Sequence, residues 1–318
     1  MAKLILHIGT HKTATTTIQG TFATNHAIAF KHGLTYPILP SQHHGLVADW
    51  INLPAQYHYP AGAEANWRYI NETHAGTDST VLISTEELSR GTKDNQVNFT
   101  ELREWTSGFD EVQVVCVLRE QVSFIQSIFF EVFKKGGKID WAAYLTGALN
   151  NKMATGLYLD YNDLYERLLA DFDAGEVSFI PYRPAGQYAN PLDTLLNHIG
   201  FPELIGAMKQ KDANKSPSPL ETWLAVMIAR PGPFDPELAN AIAPIFGGLK
   251  TTLFSVPEYK QVRERFAPLN EQFLDRYSGL TNKDLELAHF SHETHVFRNQ
   301  ITQKRWLQLA KLMRGVSM

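Results

Sequence analysis

A lysine and several hydroxyl side chains are concentrated in one short polar stretch near the start of the sequence, HIGTHKTATTT at residues 7–17. The stretch follows a short apolar run and precedes a helical pattern. Backbone N–H groups at such a junction point to one place, where the positive end of the helix dipole adds to them. Lys12 supplies a full positive charge, and the four threonine hydroxyls within residues 13–17 supply further donors. The stretch therefore predicts a loop that binds a phosphate or phosphosulfate; a helix N-cap explains the threonines but not the lysine.

The position of this lysine distinguishes between classes of nucleotide loop. The loop of ATP- and GTP-binding proteins needs a lysine directly after its second glycine, followed by a hydroxyl for magnesium. Here Lys12 lies three positions after Gly9, and no Gly-Lys-Ser or Gly-Lys-Thr occurs in the chain. A kinase or NTPase with a degenerate loop remains one alternative, and it predicts magnesium-dependent ATP turnover. A non-catalytic nucleotide- or glycan-binding module is the other, and it predicts binding without transfer.

The pattern G-x-x-K-T-x-T-T resembles the 5′-phosphosulfate loop of sulfotransferases that use 3′-phosphoadenosine 5′-phosphosulfate (PAPS). The resemblance covers residues 3–200 approximately, and it implies transfer of a sulfuryl group to a hydroxyl without a metal, with adenosine 3′,5′-bisphosphate (PAP) as product. It places Lys12 in both donor binding and catalysis. The implied contacts to the 5′ end of the donor are Gly9, Lys12, Thr13, Ala14, Thr15, Thr16 and Thr17. The family usually has glycine where this chain has Ala14, which costs little if φ there is negative.

A second match to this family follows the apolar run at residues 114–118. In sulfotransferases an arginine ends a strand here, a serine lies eight positions later, and both hold the 3′-phosphate. Arg119 and Ser127 have that spacing. Arginine forms bidentate contacts to phosphate, and serine adds a neutral donor. An arginine at a strand end can also serve an ion pair, so the prediction depends on the pair together with the loop.

A third match, LISTEEL at residues 82–88, concerns the catalytic base. Cytosolic sulfotransferases have Lys-Thr-His at this strand end, and Glu86 falls on the position of their histidine. Other members, which act on carbohydrates or tyrosine, use a glutamate, and a carboxylate with a suitable pKa can accept the proton. A first-turn helix glutamate is the alternative, and it fits Glu87 better. His44 lies in a stretch similar to one in heparan-type sulfotransferases, although out of register with their catalytic histidine. It is a second candidate for the base, or for an acceptor contact, with a surface or core histidine as the alternative.

Two weaker predictions concern Tyr182 and the other histidines. The family often ends a strand near residues 177–180 in an aromatic that contacts adenine, which makes Tyr182 the candidate, with a core tyrosine as the alternative. Three histidines at intervals of three (His289, His292 and His295) lack the zincin spacing, and we expect no metal site.

The predicted strands and helices that position these residues indicate an α/β fold. Short β-rich runs occupy residues 3–8, 80–84, 111–118 and 177–180, and their continuous apolar character favours parallel strands covered on both faces. With the resemblance, this predicts a three-layer core like that of P-loop NTPases, with a central parallel sheet flanked by helices. Residues 30–78 form an irregular excursion that faces the substrate, and residues 201–318 form a helical C-terminal part of a single domain, 1–318. The predicted helices there cover residues 219–229, 236–246, 259–277 and 298–313.

Composition limits the remaining choices. The 318 residues are 44% hydrophobic and 19% charged, as in a chain with a packed core. A net charge of −4 argues against a nucleic-acid partner. No apolar run is long enough to cross a bilayer, and residues 4–8 are too short for a signal-peptide core, so we expect a cytoplasmic enzyme. Aromatic residues in the excursion suggest a small-molecule, glycan or lipid acceptor. Cys116 lies in an apolar run, which predicts a buried, inert thiol.

Overall fold

The computed structural model describes residues 1–135, 139–183, 190–210, 218–230, 232 and 234–315. They divide into two compact units. The first consists of Met1–Arg119, Thr155–Ala213 and Leu269–Leu285, and the second of Glu120–Ala154, Asn214–Pro268 and Glu286–Met318.

Strands and helices alternate through much of the chain. The strands are β1 (Lys3–Gly9), β2 (Leu34–Thr35), β3 (Pro40–His43), β4 (Thr80–Ser84), β5 (Gly91–Thr92), β6 (Asn95–Gln96), β7 (Glu111–Leu118), β8 (Met153–Ala154), β9 (Leu157–Tyr158), β10 (Val177–Pro181), β11 (Lys250–Thr252) and β12 (His295–Phe297). The α-helices are α1 (Thr15–Lys31), α2 (Gly62–His74), α3 (Phe99–Trp105), α4 (Gln121–Lys134), α5 (Trp141–Asn151), α6 (Tyr161–Leu169), α7 (Pro191–His198), α8 (Pro219–Ala229), α9 (Pro236–Ile242), α10 (Val256–Arg276) and α11 (Gln303–Met313). Short 3-10 helices cover His44–Val47, Ala55–Tyr57, Glu86–Ser89, Pro202–Leu204, Ala243–Phe246 and Arg298–Gln300.

The first unit is built on a five-stranded parallel sheet flanked by helices, in the order β10-β7-β1-β4-β2. Four of these strands are the runs that the sequence predicts, which confirms both the α/β class and the parallel pairing. The central strand β1 is apolar on both faces: Leu4, Ile5, Leu6 and Ile8 are fully buried. The fifth strand, β2, lies inside the excursion at residues 30–78 and was not predicted, because two residues carry no periodic signal.

The strand order sets where a ligand can bind. From β1 the chain goes to β2 and β4 on one side, and it then crosses to β7 on the other side. Open α/β sheets bind ligands outside the carboxyl ends of their strands, where the order reverses. That point lies between β1 and β7, so the segments after these two strands border it.

The second unit is mainly helical. Helices also dominate the described part of residues 201–318, as the sequence predicts. Most predicted helices are present with small shifts; the helix expected from residue 298 instead begins at Gln303, where the Thr302 side chain accepts a hydrogen bond from the Arg305 N–H. The parallel pair β11 and β12 was missed, because each strand has only three residues. No helix in the described ranges is long and apolar enough to cross a membrane.

Candidate functional site

The segment after β1 forms a tight loop that is attached to β7. The backbone N–H and the hydroxyl of Thr10 both donate to the Val117 carbonyl, at 2.8 and 3.1 Å. The Cys116 thiol donates to the Gly9 carbonyl at 2.8 Å, and burial raises its pKa well above the usual value. This confirms that Cys116 is buried. The loop is therefore held at the point where the strand order reverses.

Three residues of the loop have left-handed backbone conformations: Gly9 (φ 67°), Lys12 (φ 62°) and Ala14 (φ 68°). The condition under which alanine costs little at residue 14, a negative φ, is therefore not met. A non-glycine residue in this region costs about 1–2 kcal/mol. Lys12 and Ala14 carry that cost because the loop reverses direction sharply before α1.

The threonines of the loop have different environments. Thr13 is fully buried and its hydroxyl donates to the Thr10 carbonyl, so this hydroxyl stabilises the loop itself. Thr15 is also buried, Thr17 is half-buried and Thr16 is exposed. A helix leaves its first N–H groups without intrahelical partners, and no side chain caps α1. The first-turn amides are thus arranged to receive an anion.

Glu86 lies directly against this loop. A Cβ added at Gly9 would come within 2.9 Å of the Glu86 Cβ and 3.0 Å of the Thr15 Cγ2, so only glycine allows the approach. The Gln19 amide, buried in α1, donates to Glu86 Oε2 at 2.8 Å and to the Ser84 carbonyl at 3.2 Å. Gln19 therefore fixes the Glu86 carboxylate. The sequence did not single it out, because a glutamine inside a helix has no distinctive pattern.

His44, the second candidate for the base, reaches the same strand end. Its Nδ1 lies 3.0 Å from the Thr85 hydroxyl, and its ring meets the Tyr57 ring edge-on at 5.2 Å between centroids. Thr85 also accepts a hydrogen bond from the Glu87 N–H at 3.3 Å. The fold thus brings both candidates to the segment after β4.

The neighbouring carboxylate, Glu87, has a different role. It accepts hydrogen bonds from Arg90 and lies 3.3 Å from His11 Nε2. Burial alone raises the pKa of Glu87, but the hydrogen bonds and charges of His11 and Arg90 outweigh it and bring the pKa to about 2. Glu87 thus links the loop residue His11 to the segment after β4.

Two buried histidines lie beneath this segment. His7 Nδ1 is 2.8 Å from the Ser84 hydroxyl, and His43 Nδ1 accepts the Ser84 N–H at 2.8 Å. His43 Nε2 in turn donates to the Pro37 carbonyl at 2.8 Å, so His43 is neutral with its proton on Nε2. Burial lowers the pKa of His7 to about 4, against the pull of the Glu86 charge. Burial also lowers the pKa of His43 to about 4, although its bond to Pro37 opposes the shift.

These shifts predict that the protein loses stability as the pH falls from about 6.5 toward 4. In that interval the unfolded chain binds protons at both histidines and the folded chain does not, so the free energy of unfolding decreases. The loss is on the order of 3 kcal/mol per histidine near pH 4. Urea unfolding across this range should show it, and His43→Gln should flatten the dependence by about half. A free energy of unfolding that stays constant from pH 7 to 5 would contradict the neutral assignment.

Arg119, directly after β7, also contacts the loop. Its guanidinium donates to the Lys12 carbonyl at 2.9 Å and lies 5.1 Å from the centroid of the Tyr182 ring. The Tyr161 hydroxyl donates to the Arg119 carbonyl. Tyr182 follows β10 and is half-buried. Ser127 lies on α4, in the second unit. Tyr161 was not predicted, because its role depends on a contact between residues 42 positions apart.

The C-terminal histidines have separate partners. His292 Nδ1 pairs with Gln300, whereas the His295 ring stacks on Phe290 at 4.3 Å. Within the described ranges, no three His, Cys, Asp or Glu side chains are grouped to hold a metal ion.

Comparison with known proteins gives a distant likeness in fold. No protein-family model matches the chain, and no curated protein matches it. Among solved structures, the fold is similar to that of a sulfotransferase from Alicyclobacillus acidocaldarius, with a TM-score of 0.42 and 11% identity over 83% of this chain and 95% of that one. At this identity, the site residues of the present chain must be judged by their own chemistry.

Proposed function

We propose that this protein is a sulfotransferase that moves a sulfuryl group from PAPS to a hydroxyl of an acceptor. The observation that carries the proposal is the loop from Gly9 to Ala14, which ends at the uncapped start of α1 and packs against the carboxylate Glu86. An anion-binding loop and a candidate base thus lie side by side at one edge of the sheet.

The hydrogen-bond donors at this edge of the sheet suit a doubly phosphorylated nucleotide. The amides of the first turn of α1 and the Lys12 ammonium offer hydrogen bonds and positive charge to the 5′-phosphosulfate. The absence of a side chain at Gly9 lets Glu86 pack directly against this loop. Arg119 is assigned to the 3′-phosphate, for which the sequence also predicts Ser127. The Arg119 guanidinium lies 5.1 Å from the centroid of the Tyr182 ring, and this ring is assigned to the adenine.

In the proposed reaction, Glu86 accepts the proton of the acceptor hydroxyl while that oxygen forms a bond to sulfur. The bond between sulfur and the 5′-phosphate oxygen breaks, and its electron pair leaves with PAP. Lys12 and the first-turn amides neutralise charge on the sulfuryl oxygens and on the leaving oxygen. Gln19 holds the carboxylate in place, and such positioning accounts for much of the catalysis. The residues already present neutralise the leaving group, and we propose that no metal is required.

The acceptor is proposed as a small molecule, a glycan or a lipid. The aromatic residues of the excursion do not form one exposed platform. Trp67 is fully buried and donates to the Leu46 carbonyl, and Trp50 stacks on Trp105 at 4.7 Å. These rings stabilise a local core. We assign an acceptor contact to Tyr57, whose ring lies beside that of His44.

The donor assignment predicts a preference for PAP over AMP. A 3′-phosphate at Arg119 gains a charge-assisted contact that AMP lacks. We expect wild-type protein to bind PAP at least about thirtyfold more tightly than AMP, a difference of about 2 kcal/mol. Arg119→Ala should remove most of this preference and leave AMP binding nearly unchanged; calorimetry on both proteins measures the four affinities.

The matched control is Arg183→Ala, since Arg183 lies near the same sheet edge but pairs with Asp284. It should retain the preference for PAP. If Arg119→Ala weakens AMP and PAP equally, Arg119 acts only by supporting the Lys12 carbonyl. Equal affinity of wild-type protein for both nucleotides would count against the sulfotransferase proposal and favour a simpler adenylate as ligand.

A further inference from the structure

Only one side of helix α11 packs against the rest of the second unit. Leu309 is buried, and the Arg305 guanidinium lies 5.7 Å from the centroid of the Phe246 ring in the same unit. Leu309 is the one large apolar side chain of α11 that is buried, although Trp306, Leu307 and Met313 are also apolar. Packing against the unit therefore does not account for the apolar content of this helix.

The outer side of α11 presents an apolar stripe with cations beside it. Trp306, Leu307 and Met313 are 45%, 58% and 59% exposed. They are three of the nine large hydrophobic residues that are exposed in the described ranges, and all three lie on this one helix. Lys304 and Lys311, three positions before and four after Leu307, lie on its side of the helix. We name Lys304, Trp306, Leu307, Lys311 and Met313 the α11 face.

The charge around this face is opposite to that of the remaining chain. Residues 294–318 contain five lysine or arginine residues and no aspartate or glutamate. The net charge of the whole chain is −4 and that of this segment is +5, so the remaining residues together have a net charge of −9. The segment thus attracts anions although the protein as a whole repels them.

We propose that the α11 face binds the surface of an anionic lipid bilayer. Helices that lie in a membrane interface combine Trp and Leu on one side with Lys and Arg beside them, and they use both apolar burial and attraction to anionic headgroups. With 11 residues, α11 lies on the bilayer and does not span it. A nucleic acid would use the cations but not the apolar side chains. A second copy of the chain docked through the same face would bring two positive segments together.

The test measures binding of the full chain to sedimented vesicles of phosphatidylcholine, with and without about one third phosphatidylglycerol. We expect wild-type protein to bind the anionic vesicles, and to bind them less at high salt. Lys304→Glu with Lys311→Glu should weaken this binding by about thirtyfold or more, because each cation near an anionic surface contributes about fivefold. Trp306→Ser with Leu307→Ser should weaken binding to the same vesicles without removing its salt dependence.

The matched control replaces an exposed apolar residue and an exposed cation elsewhere, Phe30→Ser with Lys31→Glu on α1. It should bind like wild type, and circular dichroism should show that all variants are folded. Failure of wild-type protein to bind anionic vesicles overturns the proposal, as does equal binding by the α11 variants. If light scattering shows a wild-type dimer and both α11 variants are monomers, this face is instead a contact between copies of the chain.

Discussion

Replacement of Lys12 by alanine is expected to abolish sulfuryl transfer and to weaken PAP binding by about 2–3 kcal/mol, the contribution of a hydrogen bond from a charged group. Lys12 lies in the loop after β1, at the uncapped start of α1, where its ammonium adds a full charge to the backbone amides. Calorimetry with PAP measures the loss of binding, and a labelled-donor assay measures the loss of transfer.

The loss should come from charge and not from misfolding. Lys12 has a left-handed backbone (φ 62°), and alanine carries a similar strain there, so the free energy of unfolding should change little. Lys31→Ala, at an exposed lysine in the last turn of α1, is the matched control and should bind PAP normally. An unchanged affinity of the Lys12→Ala protein for PAP would remove the lysine from the proposed site.

Replacement of Glu86 by glutamine is expected to lower the turnover number by about 10²-fold or more while PAP affinity stays the same. The amide keeps the shape of the side chain, and its oxygen can still accept the Gln19 hydrogen bond, but it cannot take up the acceptor proton. General bases typically contribute about 10²–10⁴-fold. Steady-state kinetics with a hydroxyl acceptor, together with calorimetry, separates the two effects.

Two variants at neighbouring positions make the result specific. Glu87→Gln removes a carboxylate that is one residue away and holds His11 and Arg90, so we expect lower stability but no comparable loss of turnover. His44→Ala tests the other candidate for the base. If His44→Ala abolishes turnover and Glu86→Gln is nearly normal, the base lies in the excursion at residues 30–78.

The same measurements separate the rival functions. A kinase or NTPase with a degenerate loop should hydrolyse ATP in the presence of magnesium and should not distinguish PAP from AMP. A binding module should bind PAP through Lys12 but transfer nothing to any acceptor, and Glu86→Gln would then have no effect to measure. The proposal therefore needs both the preference for PAP and the loss of turnover.

The sequence by itself determined the local structure around the site. Continuous apolar runs identified β1, β4, β7 and β10, because strands buried on both faces need them. The glycine, lysine and threonines at residues 9–17 identified the loop, since an anion-binding turn needs these residue types within a few positions. Such features depend on neighbours in the chain, so they can be read without the fold.

Only the tertiary structure decided which side chains surround that loop. The contact of Gln19 with Glu86 joins residues 67 positions apart, and that of Arg119 with Lys12 joins residues 107 positions apart. Both depend on the register of parallel strands, which local periodicity does not encode. The positive φ of Ala14 is likewise set by the sharp turn between β1 and α1, since alanine alone would favour a negative φ. The residue types of the proposed site are therefore visible in the sequence, whereas their mutual positions are set by long-range packing.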